Sequence, residues 1–247
     1  MKKQILFAGA AAGLALAAAL PASAQSIDYG SLQTLFNEPV TTSATGSPQR
    51  ASAAPVDMDI ISAEDIKRSG ATDLPTILSR VAGVDIQAWS AGHADVGIRG
   101  YDAARSSRLL VLVNGRQVYL DHYGYTAWST LPVQLEEIRQ IEVVKGPNSA
   151  LFGFNAVSGV VNIITYNPKF DDVGFATVEA GTNGYKTARI GGTVKLGDRF
   201  SARLTAGASK EDEWDNTTTA AARLFHDAER VTANLDTVTQ LTDKLEL

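Results

Sequence analysis

Groups able to make or break bonds are few and scattered in this 247-residue chain. It has no Cys, which removes thiolate metal sites and Cys nucleophiles. Its three His, His93, His122 and His226, are widely spaced, so no metal site is expected. Gly-x-Ser-x-Gly, His-Glu-x-x-His and phosphate-loop patterns are absent. The neighbours Glu136 and Glu137 fall where a helical turn is expected, and adjacent side chains there do not face each other. No catalytic residue and no cofactor is therefore expected: the chain reads as a non-enzyme. The whole chain carries 22 basic and 27 acidic residues, and without Lys2 and Lys3 the balance is 20 against 27. That excludes bulk nucleic-acid binding, which needs a basic surface.

These groups must be positioned by ordered elements, and order is unevenly distributed. Lys2 and Lys3, the apolar run Ile5–Leu20 and Pro21-Ala22-Ser23-Ala24 form an export signal over residues 1–24, cleaved before Gln25. No other stretch reaches about 18 apolar residues, so no inner-membrane helix is implied. Residues 25–55 are small and polar, and read as an extended, mobile arm, with one helical turn near Leu32–Phe36. Order is expected from Val56. Strand Val56–Ile61 precedes a capping box, Ser62-Ala-Glu-Asp65, and a short helix closed by Gly70. Asp73 or Thr72 caps a second helix through Leu74, Ile77, Leu78 and Val81. Strands follow at Val84–Gln87, Val96–Arg99 and Leu109–Val113. Asn114-Gly115 predicts a hairpin to Gln117–Leu120. Leu135–Ile138 is a helical turn, and Gln140–Lys145 and Val160–Thr165 are strands.

After Pro168 the pattern alternates with period two. Ala188, Ile190, Gly192, Val194 and Leu196 share one face, and Thr187, Arg189, Gly191, Thr193 and Lys195 share the other. Strands are expected near 173–181, 186–196, 199–210 and 230–241, with a fifth beginning at Lys244. Short turns at 196–199 and 241–244 and a longer excursion at 210–229 describe a membrane β-barrel meander. Such barrels need about eight strands or more, so the chain is expected to be the N-terminal part of a longer protein.

Several blocks carry a family resemblance: Phe36–Thr45, Ile60–Ile66, Leu78–Asp85, Ile98-Arg99-Gly100, Leu110–Arg116, Leu135–Val143 and Glu142–Thr165. In this order and spacing they resemble the TonB-dependent outer-membrane receptors. The resemblance implies an α+β plug domain followed by antiparallel strands of a truncated transmembrane β-barrel, about 22 strands when complete. It divides the chain into a signal peptide (1–24), a flexible arm with a TonB box (25–55), a plug (56–168) and the first four to five barrel strands (169–247). It implies location in the outer membrane of a Gram-negative bacterium, in contact with outer-membrane lipid. Its activity would be TonB-driven uptake of a ferric siderophore or similar iron chelate, with cobalamin or carbohydrate uptake as alternatives. A soluble periplasmic plug-like binding module is the rival outside the family.

The resemblance also implies residue roles. Glu38, Pro39, Val40, Thr41, Thr42, Ser43 and Ala44 would be the TonB box, able to add as a strand to TonB, which works with its inner-membrane energising complex. Trp89, His93, Arg105, Tyr119, Tyr123, Tyr125 and Trp128 would meet ligand at the plug apex, where aromatics with polar tips suit an organic molecule. Arg99 and Lys145 would latch the plug to barrel carboxylates beyond Leu247. Lys145 stands where the family usually has Arg, keeping the charge without the bidentate fork.

Overall fold

The computed structural model describes residues 26–101, 108–118, 125–153, 155–197, 199–214, 227–242 and 245–246. Helix α1 (Tyr29–Phe36) begins at Asp28, whose carboxylate accepts from the Ser31 N–H at 3.0 Å. Strand β1 (Val40–Thr41) then pairs antiparallel with β2 (Gln49–Arg50). The segment expected to be an extended, mobile arm is thus folded, and Val40, Thr41, Ser43 and Ala44 are buried. Its small polar composition misled because the groups that satisfy it lie about a hundred residues away, on the sheet above it.

Strand β3 (Met58–Ser62) runs into α2 (Ala63–Ser69) through the expected capping box. Asp65 N–H donates to Ser62 Oγ at 3.2 Å and Ser62 N–H to Asp65 Oδ2 at 3.1 Å. Gly70, at φ 64°, ends the helix in the left-handed conformation. Helix α3 (Leu74–Leu78) is capped by Asp73 and stops short of Val81. A hairpin of β4 (Val84–Ser90) and β5 (His93–Ile98) follows. Strand β6 (Leu109–Val113) turns through Asn114 and Gly115, both at positive φ, into β7 (Arg116–Gln117). A 3-10 turn at Leu135–Glu137 opens β8 (Ile138–Lys145), followed by α4 (Ser149–Phe152) and β9 (Gly159–Thr165).

These strands form a sheet in the order β3-β8-β9-β6-β7, in which β6 and β9 are parallel. One face packs Val111, Ile141, Val143, Val161 and Ile163 against Ile66, Leu74, Ile77 and Leu78 of the helices. The other face is split. Leu110, Leu112, Val144 and Val160 form a second apolar cluster. Beside it Glu142, paired with Asn162, and Gln140 form a buried polar patch. Both faces are covered, which is why every residue of β9 is buried.

A second sheet contains β10 (Gly174–Ala180), β11 (Lys186–Leu196), β12 (Phe200–Glu211), β13 (Ala228–Thr242) and β14 (Leu245–Glu246), in sequence order and antiparallel. Register stacks Val178, Ala188, Ala208 and Val231 in one outward row, and Ala176, Ile190, Ala206 and Ala233 in the next. Thr177, Arg189, Gly207 and Thr232 form an inward row against the first domain. Val178 and Val231 are each 84% exposed, so the outward face is apolar and uncovered. An apolar outer face on an open run of antiparallel strands suits lipid contact and is unfavourable in water.

Candidate functional site

The arm sits on the polar patch of the first sheet. Gln140 Nε2 donates to the Val40 carbonyl at 2.8 Å and to Glu142 Oε1 at 2.7 Å. Ser43 N–H donates to Glu142 Oε2 at 3.3 Å, and Asn162 Nδ2 donates to Ser43 Oγ at 2.9 Å. The Tyr29 hydroxyl bonds Thr42 Oγ1 at 2.8 Å, so α1 braces the same segment. Burial pushes the Glu142 carboxyl above its ordinary range, while hydrogen bonds from Ser43, Thr41 and Gln140 oppose that rise. Burial likewise pushes the Tyr29 phenol up to about 12. Among the described residues Glu142 has no ion-pair partner. Of the expected TonB-box residues, Val40, Thr41, Ser43 and Ala44 are enclosed, whereas Pro39 is exposed. Glu38 pairs with Arg50 at 3.6 Å and accepts from Ser52 Oγ at 3.0 Å.

A second junction joins the two sheets. Glu137 and Arg203 are 0% and 1% exposed, with Arg203 Nε 3.4 Å from Glu137 Oε2. Glu137 Oε1 accepts from the Gln134 N–H at 2.7 Å, and Oε2 from Thr205 Oγ1 at 3.1 Å. Arg203 also donates to Thr165 Oγ1 at 2.8 Å, to the Tyr166 carbonyl and to Asp236. Burial raises the Glu137 carboxyl; the Gln134 N–H and the Arg203 charge act against it. Glu136 meets Arg189 at 3.0 Å, and Arg189 reaches Glu179 at 2.8 Å. Gln134 Nε2 donates to Thr232 Oγ1 at 2.8 Å. Gly207 leaves room for this approach: a Cβ there would lie 2.5 Å from Gln134 Oε1, so the amide would have to shift. Sequence reasoning dismissed Glu136 and Glu137 as an acid–base pair and missed this role. The available signal was two arginines, Arg189 and Arg203, on the inward face of alternating strands.

Above this junction a cleft of about 250 Å³ separates the first domain from the inner faces of β11–β13. His93 and Trp128 line it from one side, and Tyr185, Arg230 and Trp214 from the other. His93 also packs edge-on against Tyr125, with ring centroids 5.7 Å apart. Trp89 is half-exposed and donates Nε1–H to Asp95 within its own hairpin at 2.8 Å. The structure thus groups His93, Trp128 and Tyr125, and sets Trp89 apart. Arg105, Tyr119 and Tyr123 lie outside the described residues.

Arg99 and Lys145 are brought together, but their described partners belong to the first domain. Arg99, at φ 56°, pairs with Asp57, and Lys145 Nζ lies 2.5 Å from Asp59 Oδ2. Pairing of β3 with β8 sets Met58 opposite Val144, which carries both aspartates to this corner. Lys145 Nζ also donates to the Ala82 carbonyl at 3.1 Å. The carboxylates expected to partner these cations lie beyond Leu247; within this chain they meet Asp57 and Asp59, which local strand pairing supplies. Among the described residues no group of three or more His, Cys, Asp or Glu could hold a metal, and no helix is long and apolar enough to cross a membrane.

Comparison with known proteins gives a consistent picture. The family described as TonB-dependent Receptor Plug Domain matches residues 50–160. The Vitamin B12 transporter BtuB of Vibrio vulnificus is 29% identical over 181 residues, covering 72% of this chain and 29% of that protein. The chain therefore spans under a third of that relative. Among solved structures, FpvA of P. aeruginosa bound to a heterologous pyoverdine–iron complex superposes with a TM-score of 0.64 at 15% identity, over 83% of this chain and 26% of that one. The ferric yersiniabactin uptake receptor FyuA from Yersinia pestis gives 0.60 at 19% identity, over 76% and 29%. At these identities the structural matches speak for the fold.

Proposed function

The chain belongs to the TonB-dependent receptors, with residues 50–160 matching their plug domain, and from that premise we propose that it serves energy-coupled nutrient uptake across an outer membrane. One observation carries this reading above the others. A plug is clamped by buried charge to the inner face of a sheet whose outer face is apolar. Such a sheet is suited to lipid on one side and to a folded stopper on the other. The plug then blocks a pore, and a partner must move it.

Residues 38–44 are the segment the partner grips. They are β-compatible, already paired as a two-residue strand at Val40–Thr41, and held mainly by hydrogen bonds. Released, they can add to an exposed sheet edge of TonB. The ligand is a ferric siderophore or similar iron complex, met by Trp89, His93, Arg105, Tyr119, Tyr123, Tyr125 and Trp128. His93 and Trp128 facing one cleft supports part of that set. Receptors whose names carry iron complexes share this fold. A second reading, cobalamin uptake, is favoured by the named function of the curated relative. Arg99 and Lys145, which also meet Asp57 and Asp59, latch the plug to barrel carboxylates beyond Leu247, and residues 1–24 direct export.

The test is growth of a strain lacking the full-length gene on single ferric chelates and on limiting cobalamin. Loss of growth on one source, restored by the intact gene and not by a gene lacking residues 38–44, is the expected result. Normal growth on every source would remove the uptake reading.

A further inference from the structure

We propose that Glu136 and Glu137 seat the plug in one rotational setting against β11–β13, by charges opposite in sense to those of Arg99 and Lys145. This inference rests on the reading of β10–β13 as one side of a barrel around the plug. Adjacent on a 3-10 turn, the two acids diverge to different strands. Glu136 reaches Arg189 of β11, and Glu137 reaches Arg203 of β12. Those arginines are not opposite one another, since Arg189 faces Gly207 and Arg203 faces Thr193. At about 3.3 Å per residue, the offset along the wall is roughly 13 Å.

A third contact, Gln134 to Thr232, falls on β13. Three contacts on three successive strands, not in line, fix both height and rotation of a rigid body. Gly207 leaves room for the Gln134 amide, which a Cβ at that position would displace. Arg99 and Lys145 meet Asp57 and Asp59 within the first domain. The plug presents Glu136 and Glu137 on this flank, and the wall meets them with Arg189 and Arg203, which also pair with Glu179 and Asp236 of the wall.

The experiment uses charge exchange in the full-length receptor. Glu136→Arg, Arg189→Glu and the double exchange are expressed in a Glu179→Gln background, which removes the wall acid that Arg189 also meets, beside a receptor lacking residues 56–168. Vancomycin, too bulky for an intact outer membrane, is the probe of leak. Each single exchange should sensitise cells about tenfold, as like charges meet at a largely buried contact. The double exchange should return sensitivity to near the wild-type level. A merely structural role would not produce that rescue. A bismaleimide bridge between Gln134→Cys and Thr232→Cys reads seating directly in the protein that reaches the membrane. It should form in the wild-type background, fail with Glu136→Arg, and return in the double exchange.

If the plug-deleted receptor leaks while Glu136→Arg stays tight and bridges normally, the seating proposal falls and the receptor reading stands. A double exchange that leaks like the singles would likewise overturn the seating proposal alone. If the plug-deleted receptor does not leak, there is no pore for the plug to close, and both fall.

Discussion

Glu137 and Glu142 stand on the same stretch of chain, both at 0% exposure, yet they are held in opposite ways. Glu137 has a buried guanidinium, Arg203, within 3.4 Å, and two hydrogen bonds beside it. Glu142 has hydrogen bonds from Gln140 and from the arm, and no described ion pair. Removing one partner of a buried ion pair strands a charge, at about 3–5 kcal/mol. A hydrogen bond to a charged group contributes about 1.5–3 kcal/mol, and water can replace it as the segment leaves. The plug is thus fastened to the wall by a junction that resists opening and to its own arm by one that can open stepwise. A partner pulling on residues 38–44 would meet the weaker junction first.

Arg203→Ala should break this contrast most severely. Glu137 would stay buried without its cation, and the full-length receptor should lose about 3–5 kcal/mol, read as a fall in its thermal midpoint. Replacing both residues, Glu137→Leu with Arg203→Met, should recover part of that loss, because neither buried charge of the pair is then stranded while the partly exposed Asp236 still loses its cation. The next effect lies one residue away, on the outer face. Leu204→Arg should cost about 2–4 kcal/mol in denaturant titrations in lipid vesicles, because the same guanidinium required at position 203 faces hydrocarbon at 204. Gly207→Leu should follow at about 1–3 kcal/mol in the same titration, by forcing Gln134 away from the wall.

The arm junction should respond more mildly than the ion pair. Gln140→Ala removes the donor to both the Val40 carbonyl and Glu142 and should cost about 1.5–3 kcal/mol, raising the released population of a spin label at Thr45→Cys about tenfold or more. The smallest effect is that of pH. Burial raises the Glu142 carboxyl above its unfolded value, so the folded arm binds more protons between the two values. Its contribution is most favourable below the unfolded value of about 4.3 and is lost as pH rises through the raised folded value. The Thr45 label should therefore be more mobile at neutral than at acid pH, and Glu142→Gln should flatten that trend.

What was legible in the sequence was local. The Ser62–Asp65 capping box, the Asn114-Gly115 turn and the alternation of β11 and β12 each depend on neighbours a few residues apart, and each appears as expected. What was not legible joins distant residues. Ser43 and Asn162 are 119 positions apart, Glu137 and Thr205 are 68, and Glu136 and Arg189 are 53. Composition marks residues 25–55 as too polar to order themselves. Val40 and Ser43 are held where Gln140, Glu142 and Asn162 leave matching polar groups on the sheet. Arg99 and Lys145 were legible as a pair, while their described partners, Asp57 and Asp59, depend on the pairing of β3 with β8.

The most direct measurement places single cysteines at Leu204, Thr205 and Ala208 of β12 in the full-length receptor, and reads spin-label contact with oxygen and with a water-soluble nickel chelate. Leu204 and Ala208 should meet oxygen dissolved in lipid, while Thr205 should be shielded from both until residues 56–168 are removed, and then meet the nickel chelate. Nickel contact at Leu204 and Ala208, or at Thr205 with residues 56–168 in place, would contradict a stopper enclosed by a membrane wall.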